Sequence, residues 1–132
     1  MPHLQFEINK TITDIEKQTI ASKARALFAE VMDTGIDHIA VSIREFGTYN
    51  LSIGRVTEPE KGVAVINADI RSGRSMEQRR SLALGFMEAI SETLNIPLHH
   101  IYVTLTEHKG EDFHLCEKYL ADWRQGEDPL AE

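Results

Sequence analysis

At 132 residues, 42% hydrophobic and 27% charged, the chain has the size and balance of one folded domain. Its formal charge of −7 argues against nucleic acid as a partner, because phosphate recognition needs a basic face. A lone Cys116 excludes an intrachain disulfide, six histidines without ligand spacing point to no metal, and no apolar run approaches membrane-spanning length.

The chain opens Met1-Pro2-His3-Leu4-Gln5-Phe6-Glu7-Ile8, an apolar–polar alternation that predicts a strand over Pro2–Ile8. Proline is tolerated at a strand's first residue, where its missing N–H lies outside the ladder. It has a second possible role: once the initiator methionine is removed, Pro2 carries a free secondary amine. No basic segment followed by an apolar one marks a secretory signal, so the expected compartment is the cytoplasm.

The stretch Thr13–Met32 predicts a helix, with Ile20, Ala24, Leu27, Phe28 and Val31 forming one stripe and Thr13-Asp14-Ile15-Glu16 a capping box. Gly35 follows as the expected stop, and Ile39–Arg44 alternates as a strand. Tyr49–Ile53 adds a candidate short strand or hairpin. Val63–Ile70 predicts a third strand, Ser75–Leu94 a second helix opened by the box Ser75-Met76-Glu77-Gln78, and Ile101–Thr106 a fourth strand.

The second half repeats the first at an offset of 62. Thr13 falls on Ser75, Ala24 on Phe86, Phe28 on Ile90, Gly35 on Pro97, and His38-Ile39-Ala40-Val41 on His100-Ile101-Tyr102-Val103. Two strand–helix–strand units result, over about 1–60 and 61–120, within a single domain spanning residues 1–125; residues 126–132 form a polar tail expected to fray. A crossover helix makes the strands of each unit parallel. The predicted fold class is therefore α/β (α+β): a tandem β-α-β repeat giving a four-stranded mixed sheet with both helices on one face. Leu4, Phe6, Ile8, Ile39, Val41, Ile43, Ile101, Val103 and Leu105 should point at the helices. The opposite face, with Gln5, Glu7, Ser42, Arg44, Tyr102 and Thr104, is polar, and is either solvated or a polar subunit interface.

The junction Asp69-Ile70-Arg71-Ser72-Gly73-Arg74-Ser75 puts a cation just ahead of a helix cap. That opposes the helix dipole at a cost of ~0.3–1 kcal/mol, so stability does not call for it. An anion site does, because two guanidiniums beside helix N–H groups can hold a carboxylate bidentately; the alternative is two solvated surface arginines. If the Pro2 amine shares a cleft with them at the sheet edge, burial and positive charge would lower its pKa toward the operating range of a general base, whereas an amine kept cationic would act as an acid. A small 2-oxo or enol acid fits such a site.

With Pro2, the doubled unit and the segment Ala68-Asp69-Ile70-Arg71-Ser72-Gly73-Arg74-Ser75, the sequence resembles the tautomerase superfamily (the MIF-like fold). Within it, the cis-3-chloroacrylic acid dehalogenase group is most similar. The resemblance extends through Asn95-Ile96-Pro97 and Ile101–Glu107. It implies a catalytic proline at Pro2, carboxylate binding by Arg71 and Arg74, no cofactor, a small anionic carboxylic acid as substrate, and a homotrimer that encloses the polar sheet face. The group's auxiliary histidine and tyrosine fall here at Ala29 and Thr104, and its water-activating glutamate at or near Leu115, with His114, Asp112 and Glu117 nearby but unaligned. Thr104 and the nearby His114 are the candidate substitutes. The implied function is a tautomerase (isomerase) moving a proton in a small 2-oxo or enol acid. The alternatives are a hydratase, dehalogenase or decarboxylase of a three-carbon acid such as a 3-haloacrylate or malonate semialdehyde, and an inactive trimeric binding protein.

Overall fold

Six principal elements form in the order β1 (His3–Ile8), α1 (Asp14–Val31), β2 (Ala40–Glu45), β3 (Ala64–Arg71), α2 (Met76–Leu94) and β4 (Ile101–His108). The computed structural model describes residues 2–132, so Met1, whose removal would expose the Pro2 amine, lies outside the described residues. The sheet order is β2-β1-β3-β4. β1 and β2 run parallel, β3 and β4 run parallel, and β1 meets β3 antiparallel, so the two units join through their first strands. This is the mixed sheet expected from the repeat.

The helices begin where the sequence predicts. Thr13 and Glu16 close one capping box, and Ser75 and Gln78 the other. They end earlier than Gly35 and Pro97. α1 turns out at Asp33 (φ 49°) and α2 at Asn95 (φ 56°), two left-handed positions again 62 apart. Asp and Asn tolerate that conformation because their short polar side chains bond locally, so they end helices without glycine.

The core lies between the helices and one sheet face. Leu4, Phe6 and Ile8 of β1 and Ala64, Ile66, Ala68 and Ile70 of β3 are buried, meeting Ile20, Ala24 and Phe28 of α1 and Leu82, Phe86 and Ile90 of α2. Phe6 and Phe86 pack edge to face with centroids 5.5 Å apart. The edge-strand residues Val41, Ile43, Val103 and Leu105 pack against this core while only partly buried. Gly85 lets the helices approach closely, since a Cβ there would stand 2.5 Å from Leu27 Cδ2.

Two expectations are corrected. Tyr49–Ile53 forms turns rather than a strand, because Asn50 N–H donates to the Gly47 carbonyl (3.0 Å) and reverses the chain at once. The tail does not fray: Glu127 and Pro129 are buried, held by the charge described below. Among the described residues, no helix is long and apolar enough to cross a membrane.

Candidate active site

The start of β1 lies at one end of the sheet, between β2 and β3, and not at a sheet edge as the sequence suggested. His3 pairs with Ala40 of β2 and Asp69 of β3, and the Pro2 carbonyl accepts from Ala40 N–H at 3.0 Å. Pro2 is itself buried. Arg71 ends β3 two residues past Asp69, and His38 lies two residues ahead of Ala40, so both stand at the end of the sheet where β1 begins. The antiparallel β1–β3 pairing thus joins residues about 70 positions apart in the chain, and it is the reason that Pro2 and the arginines share one end of the fold.

Neither arginine is solvated. Arg71 is 3% exposed, donates from Nη1 to the Ala121 carbonyl (2.6 Å) and forms an ion pair through Nη2 with Glu127. Arg74 is 6% exposed and lies between two aromatic rings, its guanidinium carbon 5.6 Å from the Phe28 centroid and 5.1 Å from that of Trp123. Its Nε donates to the Met32 carbonyl and its Nη1 to that of Arg71, both at 3.4 Å. Met32 is the C-cap of α1, so Arg74 faces the negative end of that helix. This supplies a stabilising role that the sequence argument did not foresee, since only the tertiary fold brings the end of α1 to the start of α2. Burial, then the charge of Arg71, lowers the Arg74 pKa to about 10, which leaves it cationic at neutral pH.

The tail supplies the counter-ion. Glu127 accepts from Thr34 Oγ1 (2.9 Å) and from Arg124 N–H (2.9 Å) as well as from Arg71. Burial raises its pKa, but the hydrogen bonds from Arg71, Arg124 and Thr34 outweigh this and hold it below the ordinary carboxylate range. Trp123 fixes the same segment, donating from Nε1 to the Asp33 carbonyl at 2.9 Å.

In the sequence His38 stands out only as one of six histidines without ligand spacing and as the repeat mate of His100. It is 2% exposed. Burial, the amino-terminal charge and Arg71 lower its pKa to about 4, against an opposing effect from Glu127, so the ring is neutral at pH 7. Among the described residues, both ring nitrogens lack a partner, as do Arg71 Nε and Arg74 Nη2. Such orphans are uncommon in a folded interior, and here they gather at one end of the sheet. Arg71 and Glu127 also line a cavity of about 80 Å³ between β3 and the tail, room for two or three waters at roughly 30 Å³ each.

The two candidate auxiliary residues are placed elsewhere. Thr104 is exposed on the open sheet face and donates from Oγ1 to Asn67 Oδ1 (2.9 Å). His114 is exposed in a hairpin, bridged to Tyr119. Within one chain neither reaches the arginines. Ala29, half-buried, packs against the core from α1, and Leu115 is half-buried at the tip of the His114 hairpin.

No family model and no curated protein matches the sequence. Solved structures do match the fold. N1, a member of the cis-3-chloroacrylic acid dehalogenase (cis-CaaD) family, superposes with a TM-score of 0.82 at 21% identity, over 91% of this chain and 84% of that one. A fused 4-OT symmetric trimer gives 0.79 at 18% identity over 90% and 95%. The macrophage migration inhibitory factor of Toxoplasma gondii gives 0.76 at 15% identity over 89% and 99%. The fold is that of the tautomerase superfamily.

Proposed function

We propose that this chain is a tautomerase that uses Pro2 to move a proton in a small 2-oxo or enol carboxylic acid held by Arg71 and Arg74. The observation that carries the reading is the carboxylate of Glu127, already seated on Arg71 beside the equally buried Arg74, with further N–H groups of both arginines unpartnered among the described residues. A substrate carboxylate exchanges with that of Glu127 on Arg71 and takes the free Arg71 Nε and Arg74 Nη2 donors. With Met1 removed, the Pro2 amine accepts the enol O–H proton and returns it to C3. The C2–C3 π pair forms the new C3–H bond and an oxygen lone pair completes C2=O, so no other reactant is needed. The guanidiniums stabilise negative charge on the enolate between the two transfers.

The alternatives that add water need a carboxylate base. The position where the dehalogenase group would supply it falls at or near Leu115, the nearby Asp112 and Glu117 are exposed, and the Glu127 carboxylate is engaged by Arg71, Thr34 and Arg124, so tautomerisation fits the residues better. Trimers among the solved structures of this fold support a homotrimer that covers the open sheet face around Asn67, Tyr102 and Thr104; a sedimentation mass of three chains is the expected outcome. The test of the reaction is ketonisation of phenylenolpyruvate, followed by loss of enol absorbance. Mature wild type, with a mass lacking methionine, should be active, and Pro2→Ala should lose ~10²–10⁴-fold in kcat/KM. An inactive wild type, or a fully active Pro2→Ala, overturns the assignment.

A further inference from the structure

We infer that His38 is a catalytic residue of this site, its neutral ring donating an N–H hydrogen bond to the C2 oxygen of the substrate while Pro2 carries the proton. The inference rests on the tautomerase reading above, and it assigns a residue for which the resemblance has no counterpart.

The repeat provides an internal control. His38 and His100 occupy equivalent positions 62 apart, each just ahead of its unit's second strand, and both are buried, at 2% and 3% exposure. His100 Nδ1 lies 2.8 Å from the Gly62 carbonyl, so its burial is explained by an ordinary backbone hydrogen bond. His38 has no such partner on either nitrogen among the described residues. A buried polar group without a partner costs about 1–3 kcal/mol, and the fold shows at His100 how the cost is avoided. At His38 it persists, and it does so beside Pro2 and the arginine pair rather than at a random point in the core.

The local charges define what the ring can do. The amino terminus, Arg71, Arg74 and Glu127 all act on it electrostatically, and only Glu127 of these is an anion. A further cation there would be disfavoured, so the imidazole stays uncharged and keeps one N–H donor and one acceptor nitrogen. A carboxylate on the guanidiniums leaves the adjacent C2 oxygen as the next polar atom of a 2-oxo or enol acid, and it needs a donor that does not itself compete for the carboxylate. The remaining site residues do not supply one: the free Arg71 and Arg74 donors are taken by the carboxylate, and Pro2 is engaged with the proton. His38 exchanges no proton in this scheme; its N–H stays on the ring, and its hydrogen bond strengthens as charge develops on oxygen.

The test compares His38→Phe, which keeps the ring volume without polar atoms, with His38→Asn, which keeps an N–H donor. In phenylenolpyruvate ketonisation, His38→Phe should lose ~10²-fold in kcat with KM changed less than about threefold, and His38→Asn should recover to within ~10-fold of wild type. Should either variant misfold, wild type labelled with ¹⁵N-histidine gives the answer alone. Its His38 ring N–H proton should move downfield with phenylpyruvate and not with 3-phenylpropanoate, which has the carboxylate but no C2 oxygen. If wild type is active while His38→Phe matches it, or if both ligands move the ring signal alike, the role of His38 is overturned and the tautomerase reading stands. If wild type neither ketonises the enol nor binds phenylpyruvate, the tautomerase reading falls and this inference falls with it.

Discussion

The two ends of the sheet are built on one plan and finished differently. At the far end, Asn9 leads out of β1 toward α1. At the site end, its repeat mate Arg71 closes β3 ahead of α2. Asn9 Nδ2 donates to the Pro59 carbonyl (3.1 Å), and Arg71 Nη1 donates to Ala121, which is Pro59's own mate. Asn9 then completes its set with the Thr48 carbonyl and the Val63 N–H. Arg71 keeps an orphaned Nε and requires Glu127 as counter-ion. Ile12, buried in the core, is answered at the site end by the equally buried cation Arg74. One end is closed by neutral hydrogen bonds and apolar packing. The other buries two cations, a carboxylate and an imidazole unpartnered among the described residues, the set on which the proposed anion site rests.

The largest effect should come from breaking the charged set. Arg71→Met leaves Glu127 buried without its ion-pair partner and should cost about 3–5 kcal/mol in urea unfolding, with most of that recovered in the double variant Arg71→Met/Glu127→Leu. Asn9→Ala, at the neutral end, should cost about 1–3 kcal/mol through the exposed need of Val63 N–H, with nothing at the tail able to restore it. If the two single variants cost the same and the double variant recovers nothing, the tail carboxylate is not the counter-ion that distinguishes the ends.

A second contrast uses pH. His38 titrates near 4 in the fold and near 6.5 when unfolded, so between those values the unfolded chain binds more protons and stability falls as pH drops. The loss should reach roughly 3 kcal/mol by pH 4. Glu127, held below its unfolded value, adds a further loss as pH falls through its folded pKa. Urea midpoints measured across that range should decline steeply for wild type and more gently for His38→Asn. Matching slopes would mean that the buried ring carries no such penalty.

Much of this was legible in the sequence, and what was not has a physical cause. Capping boxes and period-two strands are local, so α1, α2 and all four strands could be placed within one or two residues, and the offset of 62 ordered them into units. Pro2, Arg71 and Arg74 were legible as candidates because chain start and helix start are also local features. The partners of those arginines were not. Glu127 and Trp123 lie more than 45 residues from either one and come from a stretch with no periodic pattern, and only the tertiary fold brings Met32 and Phe28 to Arg74. His38 looked like His100 because the repeat governs position along the strand and not whether a carbonyl waits opposite the ring. The helix stops at Asp33 and Asn95 were hidden for a simpler reason: glycine and proline are stronger signals nearby, and the left-handed residues precede them.

The smallest expected change in stability is also the most discriminating. Arg74→Ile copies Ile12 into the site end. It removes the contacts of the guanidinium with Phe28 and Trp123, each worth about 0.5–2 kcal/mol, and its attraction to the end of α1, worth about 0.3–1. It also removes a desolvated cation and the orphaned Nη2, an offsetting gain of similar size. The net change in unfolding free energy should stay within about 1 kcal/mol of zero. The catalytic consequence should be much larger: loss of one charge-assisted hydrogen bond to the carboxylate, about 1.5–3 kcal/mol, raises KM for phenylenolpyruvate by ~10–100-fold. A variant that unfolds more easily by several kcal/mol yet binds the enol acid as before would make Arg74 a strut between the two helices, and would leave Arg71 alone to hold the carboxylate.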